Sequence, residues 1–227
     1  MRYLLILCFL STSLLAQSPW SASLHVNLGY GEISSIQIFE TNVSYFGTYT
    51  YGLNCGVHYS LNDRWEFSTG LAFQDRGEKA YFHIPDQWIG SGGNVIKDPA
   101  IPTDDFYYRD GYLFLELPLG INYYFQDKIA GWLLRAQILN SFYLSTARHT
   151  RSINPNVDDE FDTFRDQSIK VYQINLMMGG AYRWKLSNNW STNLGLMLQQ
   201  SITPLNAGSS IYLHHMIAVE MGLIKRF

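Results

Sequence analysis

The residues with chemistry to offer are five charged side chains, Glu66, Glu116, Arg135, Arg183 and Glu220, each on the polar side of a run in which apolar and polar residues alternate. Facing one another in the open, such groups would serve as acid and base. Enclosed, they must pair as ions, because an unpaired buried charge is costly. Glu116, Arg135 and Glu220 each lie about six to nine residues in from the same end of their runs, at about 3.3 Å per residue and so at comparable depth. Arg135, whose guanidinium fork donates to two carboxylates at once, is therefore expected to bridge Glu116 and Glu220. The expected result is an ionic cluster that holds structure and does no catalysis. Other candidates fall short. His214 and His215 adjoin, but period two sends them to opposite faces, and no metal site is expected. Asp158, Asp159, Glu160 and Asp162 lack the ordered spacing of a calcium loop. His83, Asp104, Asp105 and His149 are tied together by no hydrolase motif. No enzyme activity and no cofactor are expected.

The elements that carry these residues are strands. Trp20, Ala22, Leu24, Val26, Leu28 and Tyr30 share one face of the first, with Ser, His, Asn and Gly between them. The same alternation marks runs beginning near Thr48, Trp65, Tyr112, Trp132, Tyr172, Trp190 and Ile217. Pro118 interrupts the fourth run and implies a local bulge, since proline lacks a ladder donor. Short polar turns at residues 62–64, 126–128 and 187–189 alternate with long connectors at residues 32–44, 75–110, 146–168 and 202–212. Eight strands joined short, long, short, long place every short turn at one end. The predicted fold is all-β: a closed antiparallel up-and-down barrel of about eight strands.

Alternation does not say which face is inside. A soluble barrel would bury the apolar set. Here, however, only 15% of residues are charged, against about 25% in ordinary soluble domains. The polar face is mostly Gly, Ser, Asn and Thr, which suits a narrow lumen better than a solvated surface. Trp20, Trp65, Trp132, Trp184 and Trp190 gather at the strand ends beside the short turns, as an interfacial girdle would. In lipid a sheet has to close, because an open edge leaves backbone groups unpaired. The predicted barrel is transmembrane, with short turns in the periplasm and long loops outside. Arg2, the apolar run from Tyr3 to Leu10 and the small residues up to Ala16 have the form of a signal peptide, giving residues 1–16 as leader and 17–227 as barrel. The formal charge of −3 with no basic block argues against nucleic-acid binding.

The fourth run, Tyr112-Leu113-Phe114-Leu115-Glu116-Leu117-Pro118-Leu119, resembles the aromatic, Leu-Glu-aliphatic-Pro signature of the outer-membrane β-barrel (PorT-like) family of Bacteroidota. Gly70-Leu71-Ala72-Phe73-Gln74-Asp75-Arg76-Gly77, Met178-Gly179-Gly180-Ala181-Tyr182 and the terminal Phe227 are similar to further family segments. The resemblance implies a Gram-negative outer membrane of the Bacteroidota type. Because a terminal aromatic is similar to the signal read by the outer-membrane insertion machinery, it also implies that machinery as a partner.

The expected function is a structural or surface-binding role for a monomer embedded in outer-membrane lipid, with a filled lumen. Accessory service to a secretion or envelope complex is the alternative, and a rim-located hydrolase comes third. The surface most suited to recognition is the second long connector. There Tyr81, Phe82, Trp88, Phe106, Tyr107 and Tyr108 flank the glycine-rich run Gly90-Ser91-Gly92-Gly93-Asn94, which together are expected to form a surface-binding loop.

Overall fold

Period-two sequence becomes strand, and in the computed structural model those strands pair into one closed sheet. The structure describes residues 19–36, 43–82, 88–89, 95–96, 106–126, 128, 130–152, 160–206 and 211–227. Eight long strands form the wall: β1 (Trp20–Ile36), β2 (Thr48–Ser60), β3 (Trp65–Phe82), β4 (Phe106–Tyr124), β5 (Gly131–Ser152), β6 (Tyr172–Lys185), β7 (Trp190–Ser201) and β8 (Ile211–Arg226). Each pairs antiparallel with the next, and β8 pairs with β1 to close the ring. Shorter strands Val43–Phe46 and Glu160–Phe164 lie along β3 and β5, and Trp88–Ile89 pairs with Val95–Ile96.

Register fixes the barrel's shape. The ladder row starting at Trp20 runs through Tyr59, Phe67, Ile121, Ala136, Met178, Leu198 and Ile217. It returns to β1 at Tyr30, ten residues further along. A stagger of ten over eight strands tilts them by about 40°, within the range of outer-membrane barrels.

The outward face is apolar and exposed all round, including Leu28, Leu53, Phe67, Leu119, Ile138, Met178, Leu196 and Val219. On β3 this face runs from Trp65 to Phe73 and then meets Asp75. Nine tilted residues cover about 23 Å, close to the apolar band of such barrels. Asn140, the one polar break foreseen on the outward face of β5, is satisfied locally. Its amide donates to the Leu117 carbonyl and its oxygen accepts from the Tyr172 hydroxyl at 2.7 Å. Rings crowd the short-turn end, where Trp20 meets Tyr59, Trp65 meets Tyr123, and Tyr182 meets both Trp132 and Trp184.

Two expectations about the wall are corrected. Pro118 causes no bulge. The β3–β4 register is the same on either side of it, at Thr69↔Leu119 and Ala72↔Glu116, and only the intervening ladder pairs lapse. Gly70 shares that gap: a Cβ there would meet the Cys55 carbonyl oxygen at 2.3 Å, so only glycine fits. The irregularity lies instead between Leu113 and Phe114 against β5. The long connectors are also shorter than expected. β3 continues to Phe82, β4 begins at Phe106 and β5 extends to Ser152, so stretches read as loop are barrel wall above the apolar band.

Candidate functional site

Every second side chain points into the lumen, and the charged ones form successive tiers along its axis. Nearest the short turns, Glu66 accepts from the Asn122 amide at 2.9 Å and the Tyr124 hydroxyl at 2.8 Å. His58 Nδ1 lies 3.2 Å from the same carboxylate, and Arg183 Nη2 lies 4.0 Å away. The Arg183 guanidinium stacks over the Tyr124 ring and donates to the Lys128 carbonyl. Arg226 donates to that carbonyl too. Part of the β4–β5 turn is thus held beneath the lumen by arginines from β6 and β8.

In the next tier Arg135 donates through Nη1 to Glu220 at 2.5 Å and through Nε to the Asn122 oxygen at 2.9 Å. His25 Nδ1 lies 2.8 Å from Glu220, and the Asn193 amide donates to it at 3.2 Å. Asn122 therefore links the two tiers, accepting from one arginine and donating to the other tier's carboxylate.

The third tier belongs to Arg76. Its guanidinium is paired with Glu116, donates to Ser141 at 2.8 Å and Gln173 at 3.1 Å, and lies 4.4 Å over the Phe114 ring. This corrects the expected bridge. Arg135 holds Glu220 but not Glu116. Glu116 faces Ser141 on β5, whereas Arg135 faces Asn122. Six residues along one strand is about 20 Å. Depth counted from strand ends ignores the stagger, which displaces equal counts on different strands to different heights.

At the long-loop end Tyr112 donates to Glu78 at 2.6 Å, and Arg148 grips Asp110 through two bonds of 2.7 and 2.6 Å. Above Phe114, Tyr112 and Tyr143 sit the buried side chains of Ile169 and Leu205. Their segments are joined by the bridge Ile169↔Asn206 and by Lys170 donating to the Leu205 carbonyl. Among the described residues, ion pairs thus cross the lumen at successive heights, with Lys128 held at one end and Ile169 and Leu205 packed at the other.

Arg76, Glu78, Asp110, Tyr112 and Arg148 were missed as site residues. Arg76 and Glu78 lie within the stretch read as the second loop, and Asp110 at its end. The signal that would have found them is the continuation of period two through Gln74, Arg76, Glu78 and Ala80, all buried. The ring cluster expected on that loop is partly wall. Tyr81 pairs with Tyr107, Phe82 with Phe106 and Ala80 with Tyr108. The Tyr81 and Tyr107 rings touch at 4.8 Å with Lys79 beside Tyr107, while Tyr108 turns toward Arg148. Trp88 lies on its short strand, and residues 90–94 lie outside the described residues. So do residues 1–18, His83, Asp104, Asp105, Asp158 and Asp159. Glu160 and Asp162 are exposed on their short strand. His214 is buried in the lumen and His215 faces outward, as period two required.

The model of the outer membrane protein beta-barrel domain matches residues 15–206. The chain belongs to that family. No curated protein matches the sequence. Among solved structures, this family member is similar to Neisserial surface protein A, at 11% identity with TM-score 0.39, covering 91% of this chain and 97% of that one. It is similar to Ail of Yersinia pestis, at 10% identity with TM-score 0.39, covering 89% and 98%. The outer membrane protease OmpT of Escherichia coli gives 10% identity and TM-score 0.45, covering 95% and 99%. Likenesses this distant add nothing on function to the barrel's own geometry. The outer-membrane barrel family places the protein in the outer membrane, its apolar wall in lipid.

Proposed function

We propose that this barrel conducts nothing and works as a structural or surface-binding protein, its recognition surface at the long-loop rim. The observation that carries this reading is the filled lumen: Arg183 and Glu66, Arg135 and Glu220, and Arg76 and Glu116 interlock along its axis, each nearly inaccessible to solvent. At the rim the paired Tyr81 and Tyr107 rings stand on rigid wall, which lowers the entropy of ordering them against a partner. The protein functions as a monomer, delivered by a signal peptide over residues 1–16 and inserted by the outer-membrane machinery that reads Phe227. The Leu-Glu-Leu-Pro run of β4 supports the narrower PorT-like assignment. Its Glu116 is occupied by Arg76, which supports a structural use of the motif.

Planar-bilayer recording with the refolded protein tests the closed lumen. The expected trace shows no steps of porin size. Regular steps of that size from the wild-type protein would overturn the reading.

A further inference from the structure

Above the lipid band β3, β4 and β5 rise together, flanked by the short strands Val43–Phe46 and Glu160–Phe164. The face that meets lipid below continues upward on them. One ladder row of that face runs Phe46, Lys79, Arg109, His149 and Phe161, successive partners across the five strands. The next row up holds Tyr81, Tyr107 and Arg151. Lys79, Arg151, Phe46, Tyr107 and Phe161 are exposed.

Charge on this face is one-sided. Among the described residues its one carboxylate above the band is Asp75, which is buried and lies 3.6 Å from Arg109. Glu160 and Asp162 pair with Thr150 and Arg148, and so belong to the opposite face of the same strands. Lys79 therefore stands directly across the ladder from Arg109 with no carboxylate of its own. Like charges placed so destabilise a sheet, and an anion bound against them would relieve the repulsion.

Height narrows the kind of anion. Asp75 and Leu113 are ladder partners at the edge of the band, and Lys79 and Arg109 each lie four residues beyond them. At about 3.3 Å per residue and a tilt of about 40°, four residues rise about 10 Å. A phospholipid head layer is only about 5–8 Å deep. The basic row thus stands above phospholipid phosphate, at the level reached by a lipid whose head carries several sugars. Rings and cations side by side suit that head, because sugars offer apolar ring faces and phosphate takes charge-assisted bonds. We infer that this face docks the phosphorylated saccharide head of an outer-leaflet glycolipid, the chemistry of lipopolysaccharide, with phosphates on Lys79 and Arg151 and sugar rings against Tyr107 and Phe161. The assignment rests on the rim as the recognition surface, yet it can fail while the lumen proves closed.

The test is native mass spectrometry of the delipidated full-length barrel in detergent. It is titrated with a short-core lipopolysaccharide phosphorylated on its sugars, with the same lipopolysaccharide after removal of phosphate, with phosphatidylglycerol, and with soluble dextran sulfate. The phosphorylated glycolipid should be retained about tenfold better than its dephosphorylated form or phosphatidylglycerol, as expected for two charge-assisted contacts at an exposed surface. Lys79→Gln combined with Arg151→Gln should abolish the preference. Lys185→Gln, which removes an exposed cation at the other end of the barrel, should keep it. Heat-modified gel mobility confirms that each variant is folded. Equal retention of the three lipids by the wild-type protein overturns the proposal without any variant. A preference that survives the double substitution overturns it as well, and so does dextran sulfate held as tightly as the glycolipid, which would make the partner a soluble polyanion.

Discussion

Arg135 Nη1 lies 2.5 Å from Glu220 Oε1, and neither side chain reaches solvent. Both residues sit on the polar side of their strands, 85 residues apart in sequence, and meet across the lumen because β5 and β8 are staggered around the ring. The pair is made inside protein, so neither ion can recover its hydration if the other is removed.

Arg135→Met should therefore destabilise the barrel by roughly 3–5 kcal/mol, because Glu220 is left buried with only His25 and Asn193 beside it. Arg135→Met combined with Glu220→Gln should recover much of that loss, since removing both charges removes the uncompensated ion. Urea unfolding of detergent-refolded protein, followed by heat-modified gel mobility, measures both. A single variant that unfolds at the wild-type urea concentration would show that the pair contributes nothing.

The tiers make a second, sharper prediction. Arg76→Met and Glu116→Gln share a contact and should couple by more than about 1 kcal/mol in a double-mutant cycle. Arg135→Met and Glu116→Gln share none, and their effects should add to within about 0.5 kcal/mol. Strong coupling in the second cycle would restore the single-cluster arrangement that strand-end counting suggested.

Much of this barrel was legible because its two faces differ in kind. Residues such as Leu24, Val26 and Leu28 alternating with His25, Asn27 and Gly29 state both the strand and its phase. The expected strands, short turns and lumen-facing charges follow from that pattern. Heights in the lumen were not legible. They depend on the stagger, which is set by all eight registers together, and no single strand reveals it. Arg76 was hidden for another reason. Beyond Phe73 the outward positions turn polar at Asp75 and Lys79, so the contrast between faces that marks a strand in lipid is lost. Period two continues there, but with polar residues on both sides it reads as loop.

Orientation is open to direct test. With the long connectors outward, a cysteine replacing Asp162, exposed on the short strand beside β5, should react with an impermeant maleimide on intact cells in a Cys55→Ser background. A cysteine replacing Asp63, exposed in the β2–β3 turn, should react only after the envelope is opened. Labelling at position 63 with protection at 162 would invert the barrel.

The last prediction concerns pH and the long-loop end. Glu78 lies on β3 beyond Phe73, where the apolar outward face gives way to Asp75, and so above the membrane band. Burial, with the nearby Asp110 carboxylate adding to it, holds its carboxyl up from about 4.5 to about 7, against the opposing bond from the Tyr112 hydroxyl. A folded-state value above the unfolded one means that the folded barrel holds a proton the unfolded chain has released. The stability this adds is fully present below the unfolded value and is lost as pH rises through about 7. The wild-type urea midpoint should therefore fall between pH 5 and pH 8.5, by up to about 3 kcal/mol in unfolding free energy for a shift of this size. Glu78→Gln keeps a neutral side chain that accepts from Tyr112 at every pH, so its profile over the same window should be nearly flat. An equal fall in the variant would place the titrating group elsewhere.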